Sequence, residues 1–431
     1  MTPPSTYTMQ PAGPIQGTVR PPGSKSITNR ALVCAALARG VSQLNGVLDS
    51  EDTEVMIKGL RRLGFEIQHS AHDAVASVQG TGGNVPVHAA ELFVNNSGTT
   101  MRFLTPLVAL GQGDFRLDGV ARMRERPMFD LIEALRPLGV MVESVAHSGC
   151  PPLTVHARGL NGGATTVRGN VSSQFLSGLL MVAPYAKHDV EIEVHGPLVS
   201  QPYVEMTRRV MQAFGVEIQQ PEVGRYRVAA GSSYVGCEYA IEPDASAASY
   251  FWGAAAVTGG TVQVQGLGRD SLQGDVRFCE CLREMGCEVD YSVDSVTVRG
   301  GSLRGISVDM NAISDTVQTL AAVSLFAAGT TRITGVGHIR HKETDRIGDL
   351  ARELRKLGAH VEEFEDGLAI TPGTLRGAKI ATYQDHRMAM SLALVGLRIP
   401  GVMIEDPGCT AKTYPNFFAD LRSLSEAAAK H

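Results

Sequence analysis

The chain has 431 residues, of which 43 % are hydrophobic and 19 % are charged; this is typical of a globular protein and predicts two domains of about 200 residues each. The formal net charge is −5, which argues against nucleic acid as a partner because nucleic-acid binders are usually basic. No run of about 18 uninterrupted apolar residues occurs, so we expect no membrane span.

The cysteines indicate a reducing compartment. The 7 cysteines are irregularly spaced, which favours a cytoplasmic location over a disulfide framework. The first residues carry no basic patch followed by an apolar run, so we expect no secretory signal. Cys279, Cys281 and Cys287 lie close together but lack a matching histidine or second cysteine pair. Packed thiols are therefore favoured over a zinc site, and no metal is expected.

An apolar-x-x-apolar-Gly motif recurs along the chain. Its glycines, 75, 76, 71 and 72 residues apart, are Gly64, Gly139, Gly215, Gly286 and Gly358. Each glycine follows an amphipathic helical pattern, at a position where a helix end favours positive φ. Each is followed by an apolar-polar alternation, such as 65–67 or 216–218, which predicts a strand. Residues 421–424 form a degenerate sixth copy.

A second, more apolar helix is predicted between these copies. The expected starts are Ser24, Ser97, Ser172, Asp244, Asp315 and Asp385. Each start supplies Ser or Asp at or near the N-cap, and the apolar run that follows predicts a buried helix. The unit is roughly strand-helix-strand-helix-strand, used in two groups of three. A linear solenoid is less favoured, because solenoid repeats run to about 20–45 residues.

Polar residues gather at these helix starts, where the helix dipole favours anions. At the first start, Lys25, Ser26 and Arg30 offer donors to a phosphate or carboxylate. A Walker P-loop is excluded because Ser24, rather than Gly, precedes the lysine. A solvated basic helix start is the alternative interpretation.

The second and third starts are less specific. Gly98 follows Ser97 and would let a ligand approach the backbone closely, whereas an ordinary cap with a turn glycine is the alternative. Ser172, Ser173 and Gln174 could bind hydroxyls or phosphate, or serve only as a cap. Asp244 has no cationic neighbour in sequence, so its helix start is interpreted as structural.

The fifth and sixth starts carry ionisable groups. Facing several cations, Asp315 would stay ionised and could act as a base. Asp385, His386 and Arg387 open an apolar helix, which packing alone does not explain. Charged clusters also precede three of the amphipathic helices, at 122–127, 338–346 and 409–413. Such runs are usually solvated faces, but their recurrence at equivalent repeat positions favours a shared function.

Nine of these motifs, in order, resemble those of the 5-enolpyruvylshikimate-3-phosphate (EPSP) synthase family: PGSKSITNRAL, NNSGTTMR, RERP, SSQFLSGLL, SQPY, DMNAISD, HKETDR, QDHRMAM and DPGCTAKT. The resemblance covers about Met9 to Leu424. It implies an α/β fold (α+β by some schemes), an inside-out barrel with three βαβαββ repeats per domain around buried parallel helices. The implied domains are 24–241 and 1–23 joined to 242–431, with the active site in the cleft between them.

The resemblance also implies a reaction and its catalytic residues. The enolpyruvyl group of phosphoenolpyruvate would pass to the 5-hydroxyl of shikimate 3-phosphate, with release of phosphate, through a tetrahedral intermediate. Asp315 would take the hydroxyl proton, Glu343 would deliver and remove the methylene proton, and Lys25 could shuttle a proton. No cofactor is implied. Glyphosate would be an inhibitor, and the protein is expected to be a monomer without nucleic-acid or membrane partners.

The binding residues are carried over by matching motif positions. Those implied for phosphoenolpyruvate are Lys25, Asn96, Gly98, Arg126, Gln174, Arg346, Arg387 and Lys412. Those implied for shikimate 3-phosphate are Lys25, Ser26, Arg30, Ser172, Ser173, Gln174, Ser200, Tyr203, Asp315, His338 and Lys342.

Two positions depart from the family pattern. Members often carry Asn in place of His338, whose charge would depend on pH. Many carry Pro in place of Phe103, so we expect a slightly different position for the helix that begins near Gly98. The UDP-N-acetylglucosamine enolpyruvyl transferases are the nearest alternative, but residues 119–127 lack the cysteine typical of that family. A non-catalytic phosphometabolite-binding relative is the other alternative, which retention of Asp315 and Glu343 disfavours.

Overall fold

The computed structural model describes residues 5–428. The chain divides into two compact units, Gly23–Ile241 and the described parts of Met1–Pro22 with Glu242–His431. No helix in the part of the chain that is described is long and apolar enough to span a membrane.

The strands of residues 5–428 are numbered in chain order. They are β1 (Thr6–Thr8), β2 (Gln16–Val19), β3 (Arg39–Asn45), β4 (Glu66–Ser70), β5 (Val75–Thr81), β6 (Ala89–Phe93), β7 (Gln112–Asp118), β8 (Met141–Ser144), β9 (Leu153–Arg158), β10 (Gly163–Arg168), β11 (Val190–His195), β12 (Gln219–Glu222), β13 (Arg225–Val228), β14 (Glu238–Ala240), β15 (Thr261–Gln265), β16 (Glu288–Tyr291), β17 (Ser295–Arg299), β18 (Ser307–Asp309), β19 (Thr331–Thr334), β20 (His360–Phe364), β21 (Gly367–Thr371), β22 (Lys379–Ile380) and β23 (Met403–Glu405).

The α-helices are numbered in the same way. They are α1 (Lys25–Leu37), α2 (Glu51–Arg62), α3 (Gly98–Val108), α4 (Phe129–Leu135), α5 (Ser173–Val182), α6 (Pro202–Ala213), α7 (Ala245–Thr258), α8 (Phe278–Met285), α9 (Val317–Ser324), α10 (Gly348–Lys356), α11 (His386–Ala393) and α12 (Phe417–Ala428).

One pairing pattern recurs in the sheets, a parallel pair extended by antiparallel strands. In Gly23–Ile241 the strand orders are β14-β3-β5-β4, β6-β7-β9-β8 and β10-β11-β13-β12; in the other unit they are β2-β15-β17-β16, β18-β19-β21-β20 and β22-β23-β1. Strand β2 lies parallel to β15 and β14 lies parallel to β3. Each unit therefore completes a sheet with a strand that is distant in sequence. The predicted mixed α/β class and the recurring unit are confirmed, with a second strand after the amphipathic helix.

The apolar helices are buried, as predicted. Every residue of α3, α7, α9 and α11 is buried. In α1 and α5 the residues that are not fully buried are Lys25, Ser26 and Gln174, all in the first turn. The helix bodies thus belong to the hydrophobic core, and the polar groups lie at the helix starts.

Most of the predicted helix boundaries are confirmed. Ser24, Ser97, Ser172, Asp244 and Asp385 each cap a helix by accepting a backbone N–H. The repeated glycines all have positive φ, between 87° and 115°, so the helix-end assignment is also confirmed.

One local prediction was wrong, and one helix start differs by a single residue. Asp315 lies one residue before Thr316, the N-cap of α9, and falls within a 3₁₀ helix that covers Asn311–Thr316. The carboxylate of Asp315 is instead engaged by arginines, as described below. Residues 216–218, predicted as a strand, do not form one; β12 begins at Gln219. That strand contains Pro221, which lacks a backbone N–H to donate, and its pairing with β13 is irregular.

Candidate functional site

In the unit Gly23–Ile241, α1 begins with a lysine held close to a buried carboxylate. The Nζ of Lys25 lies 3.6 Å from the Oδ2 of Asp52, near the start of α2. The backbone N–H of Ile27 donates to the Oγ of Ser24 at 3.4 Å, which fixes the helix start. Lys25 therefore projects from the positive end of a helix, where an added anion is stabilised by both charges.

Arg30, one turn further along α1, is almost completely buried, with 1 % of its surface exposed. Its guanidinium donates to the Oγ1 of Thr207 at 2.7 Å and to the carbonyl of Ser26 at 2.8 Å. Its Cζ lies 5.2 Å from the centre of the Phe103 ring. Burial lowers the pKa of Arg30 to about 10, so the side chain is still charged at neutral pH.

Gly98, the first residue of α3, makes room for a guanidinium. A Cβ at this position would lie 2.4 Å from Nη2 of Arg126 and 3.0 Å from Nη1 of Arg102. Arg126 is buried and donates to the backbone carbonyl and Oδ1 of Asn96 at 3.1 and 3.3 Å. Since real Cβ atoms do not approach other atoms to 2.4 Å, a larger residue here would require the guanidinium of Arg126 to shift.

Gln174 is oriented at the start of α5 by the neighbouring helix α3. Its Oε1 accepts from Nη1 of Arg102 at 2.8 Å, and its Nε2 donates to Oγ1 of Thr99 at 3.2 Å. The hydroxyl of Ser172 accepts the N–H of Gln174 at 3.3 Å, and Ser173 is buried beside it. The three predicted residues of this motif are thus brought together.

Ser200 and Tyr203 lie at the start of α6. Ser200 has a φ of 52°, a left-handed conformation that is uncommon for residues other than glycine and often marks a functional turn. Its carbonyl accepts the N–H of Tyr203 at 3.0 Å. The ring centre of Tyr203 is 6.0 Å from the Cζ of Arg30, so this turn adjoins the start of α1.

In the other unit, Arg346 lies at the centre of a buried ionic network and is 1 % exposed. Its Nε donates to Oδ2 of Asp385 at 2.7 Å, and its Nη2 donates to Oε2 of Glu343 at 2.7 Å. Burial acts to lower the pKa of Arg346, but the surrounding carboxylates outweigh burial and raise it. Arg346 is therefore a fixed cation.

Asp315 is held by two arginines, one at each oxygen. Its Oδ1 accepts from Nη1 of Arg346 at 3.2 Å, and its Oδ2 accepts from Nη2 of Arg387 at 2.8 Å. The Nζ of Lys342 lies 3.8 Å from Oδ1. Three cations thus favour the ionised form of Asp315, which is the form that can accept a proton.

Glu343 is also fixed at both oxygens. Besides the bond from Arg346 to Oε2, the Nζ of Lys412 lies 3.1 Å from Oε1. Arg387 completes the network, with its Nη1 donating to the hydroxyl of Tyr250 at 3.3 Å. The side chains of Lys342, Arg346, Arg387 and Lys412 thus place four cations around two candidate proton carriers.

His338 is buried and its Nε2 lies 3.0 Å from Oγ of Ser314. Burial, with a further contribution from the charge of Lys342, lowers the pKa of His338 to about 3. The side chain is therefore neutral at physiological pH, and the pH-dependent charge considered from the sequence is not expected there.

Several residues of these clusters were not predicted as site residues, and three of them contact residues of the proposed catalytic or binding sets through a charged or aromatic side chain. Arg102 orients Gln174, Asp385 binds Arg346, and Tyr250 contacts Arg387. Arg102 and Asp385 lie within motifs that the sequence had singled out. Arg102 is a cation near a helix start and Asp385 is a helix cap, and neither pattern predicts which residue the side chain binds. Tyr250 lies inside the apolar α7 and carried no sequence signal.

The cysteines and acidic groups were the candidate metal ligands of the sequence. Among residues 5–428, no group of three or more His, Cys, Asp or Glu side chains is arranged to hold a metal ion. Cys279 and Cys281 are buried, and burial raises the pKa of Cys281 to about 12. The expectation of packed thiols at these positions is confirmed.

Comparison with known proteins gives a consistent result. The family model described as EPSP synthase (3-phosphoshikimate 1-carboxyvinyltransferase) matches residues 9–421. A 3-phosphoshikimate 1-carboxyvinyltransferase from Nostoc punctiforme is 51 % identical over 414 residues, which cover 96 % of this chain and 97 % of that protein. A protein of the same name from Shewanella sp. W3-18-1 is 45 % identical over 419 residues, which cover 96 % and 98 % of the two chains.

The fold is also similar to solved structures. An EPSP synthase from Acinetobacter baumannii has a TM-score of 0.81 and 26 % identity, with 98 % of each chain covered. A second structure of EPSP synthase from that organism has a TM-score of 0.80 and 24 % identity, covering 97 % of this chain and 98 % of the other.

Proposed function

Because this chain belongs to the EPSP synthase family, we propose that it transfers the enolpyruvyl group of phosphoenolpyruvate to the 5-hydroxyl of shikimate 3-phosphate, with release of phosphate. The observation that carries this proposal is the family match over residues 9–421. The protein is thus a 3-phosphoshikimate 1-carboxyvinyltransferase, a transferase of the shikimate pathway, which leads to the aromatic amino acids.

Asp315 and Glu343 carry the proton transfers of the proposed mechanism. Asp315 accepts the proton of the 5-hydroxyl as its oxygen attacks C2 of phosphoenolpyruvate. Glu343 delivers a proton to the methylene carbon in this addition and removes a proton from the same carbon when phosphate leaves. Lys25 shuttles a proton at the oxygen that bridges C2 and the phosphorus atom of phosphoenolpyruvate. The ion pairs that hold both oxygens of each carboxylate support this assignment, because they fix the two groups in place.

The cations bind the anionic groups of both substrates. We assign phosphoenolpyruvate to Lys25, Asn96, Gly98, Arg126, Gln174, Arg346, Arg387 and Lys412. We assign shikimate 3-phosphate to Lys25, Ser26, Arg30, Ser172, Ser173, Gln174, Ser200, Tyr203, Asp315, His338 and Lys342. Preformed cations and helix N-termini stabilise a transition state most strongly where negative charge develops during the reaction. We propose the two structural units as the two domains.

Three further properties belong to the proposal. Glyphosate, which resembles phosphoenolpyruvate in charge, is proposed to compete for the same cations. A monomeric state is proposed as well. A cytoplasmic location is favoured by the free cysteines at 34, 150, 237, 279, 281, 287 and 409, since thiols persist in a reducing compartment.

The deciding experiment measures phosphate release from phosphoenolpyruvate, with shikimate 3-phosphate as acceptor and UDP-N-acetylglucosamine as the control acceptor. We expect phosphate release with shikimate 3-phosphate and none with UDP-N-acetylglucosamine. Release with UDP-N-acetylglucosamine alone would identify the rival transferase. Tight binding of shikimate 3-phosphate without any release would identify a non-catalytic relative.

A further inference from the structure

Arg30 is a buried cation whose contacts are all with neutral groups. Its hydrogen bonds go to hydroxyl groups and backbone carbonyls of Ser26, Ser177, Tyr203 and Thr207. Within residues 5–428, no ion pair involves Arg30. Burying a charge without a counter-charge is costly, and burial lowers the pKa of Arg30 to about 10. An anionic ligand would supply the missing charge.

The shortest contact of Arg30 is to a residue outside every proposed binding set. The hydroxyl oxygen of Thr207 accepts from Nε at 2.7 Å. It also lies 2.9 Å from the carbonyl of Tyr203, one turn earlier in α6, and 2.8 Å from the hydroxyl of Ser177 in α5. A guanidinium can only donate, so Thr207 must accept from Arg30 and use its single hydrogen toward Tyr203 or Ser177.

These bonds fix the rotation of the guanidinium about its long axis. Nε is held by Thr207, and Nη2 is directed to the carbonyl of Tyr203 at 3.2 Å. The ring of Phe103 covers one side, 5.2 Å from Cζ. Nη1 makes one hydrogen bond, to Ser26, and carries a second hydrogen that can donate to a ligand oxygen.

We propose that Thr207 is a positioning residue for shikimate 3-phosphate: its hydroxyl orients Arg30 so that Nη1 is directed at an oxygen of this anion. The inference rests on the proposed function, because it assumes that Arg30 binds this substrate. Thr207 itself is fully buried and is proposed to act only through Arg30. Its effect is therefore specific to one substrate and acts through one side chain.

The test compares Thr207→Val, which keeps the shape but removes the hydroxyl, with Thr207→Ser, which keeps the hydroxyl. Thr207→Val should weaken equilibrium binding of shikimate 3-phosphate about tenfold, as expected for one lost hydrogen bond to a charged group. The KM for phosphoenolpyruvate should change by less than about twofold, and Thr207→Ser should restore binding to within about twofold, because the acceptor is retained.

Thr165→Val is the matched control. The hydroxyl of Thr165 is also buried and donates to the carbonyl of Ala134 at 2.6 Å, far along the chain from Arg30. This variant should lower the melting temperature, as Thr207→Val does, but it should leave binding of shikimate 3-phosphate unchanged. Equal effects of the two valine variants on binding would reduce the role of Thr207 to general stability and overturn the inference.

Two other results separate the possible failures. If the wild-type protein does not turn over shikimate 3-phosphate, the proposed function itself is wrong. If it does, and Thr207→Val binds this substrate normally, only the positioning role is wrong. Should Thr207→Val fail to fold, Thr207→Ala decides by the same criterion, since it also removes the hydroxyl that accepts from Arg30.

Discussion

The Nη2 of Arg346 donates to Oε2 of Glu343, three residues earlier, at 2.7 Å. Lys412 lies 3.1 Å from the other oxygen of the same carboxylate, although 69 residues separate Lys412 from Glu343. A side chain held in this way cannot rotate freely. Glu343 is thus positioned before any substrate is bound, which is what a proton carrier requires.

Replacing Glu343 with Gln, or Asp315 with Ala, should lower turnover by about 10²–10⁴-fold, the range expected for a lost general acid or base. Equilibrium binding of the substrates should fall much less. Steady-state kinetics and titration calorimetry measure the two effects separately. Glu280→Gln is the control, because Glu280 also pairs with an arginine, Arg283, but carries no proposed role. Near-normal turnover in either variant would remove that residue from the mechanism.

Gly98→Ala should weaken glyphosate more than phosphoenolpyruvate. The added methyl would lie 2.4 Å from Nη2 of Arg126, so the guanidinium must shift and narrow the space beside it. The longer inhibitor should tolerate this shift less well than the shorter substrate. The measurement is the inhibition constant for glyphosate and the KM for phosphoenolpyruvate in the wild type and the variant. An equal change in both constants would show that the steric argument is wrong.

His338 should make the folded state less stable in acid. Its folded pKa of about 3 lies below the usual value of 6.5, so the unfolded chain binds a proton that the folded protein does not. Stability is fully present above pH 6.5 and is lost as the pH falls toward 3, by roughly 1 kcal/mol per pH unit. Denaturant unfolding at pH 7 and pH 5 should show a smaller loss for His338→Gln than for the wild type.

The exposed His72 provides the control for this experiment. Its side chain is 96 % exposed, so His72→Gln should lose as much stability between pH 7 and pH 5 as the wild type does. A loss in His338→Gln equal to that of the wild type would show that His338 is not the group responsible.

Exhaustive chelation should leave turnover unchanged. The reaction's anionic groups are assigned to Lys and Arg side chains, and no set of three metal-ligating side chains occurs within residues 5–428. The assay is phosphate release after dialysis against a chelator, with and without added divalent ions. Activity that is lost on chelation and recovered with one of these ions would contradict the assignment.

The repeat could be predicted from the sequence because its signals are local. A helix start needs a capping side chain within three residues, and a helix end needs a glycine at one position. Ser24, Ser97 and Asp385 cap helices as predicted, and Gly64 adopts positive φ. The motif order along the chain likewise identified the family, since it depends on sequence alone.

The partners of the polar side chains depended on the tertiary structure. Asp315 matched the pattern of a helix cap, but Arg346 and Arg387, 31 and 72 residues later, take both of its oxygens. Thr207 is 177 residues from Arg30 and had no sequence signal. Local propensity covers only a few residues, whereas these contacts exist only after the buried helices pack and bring their polar ends together.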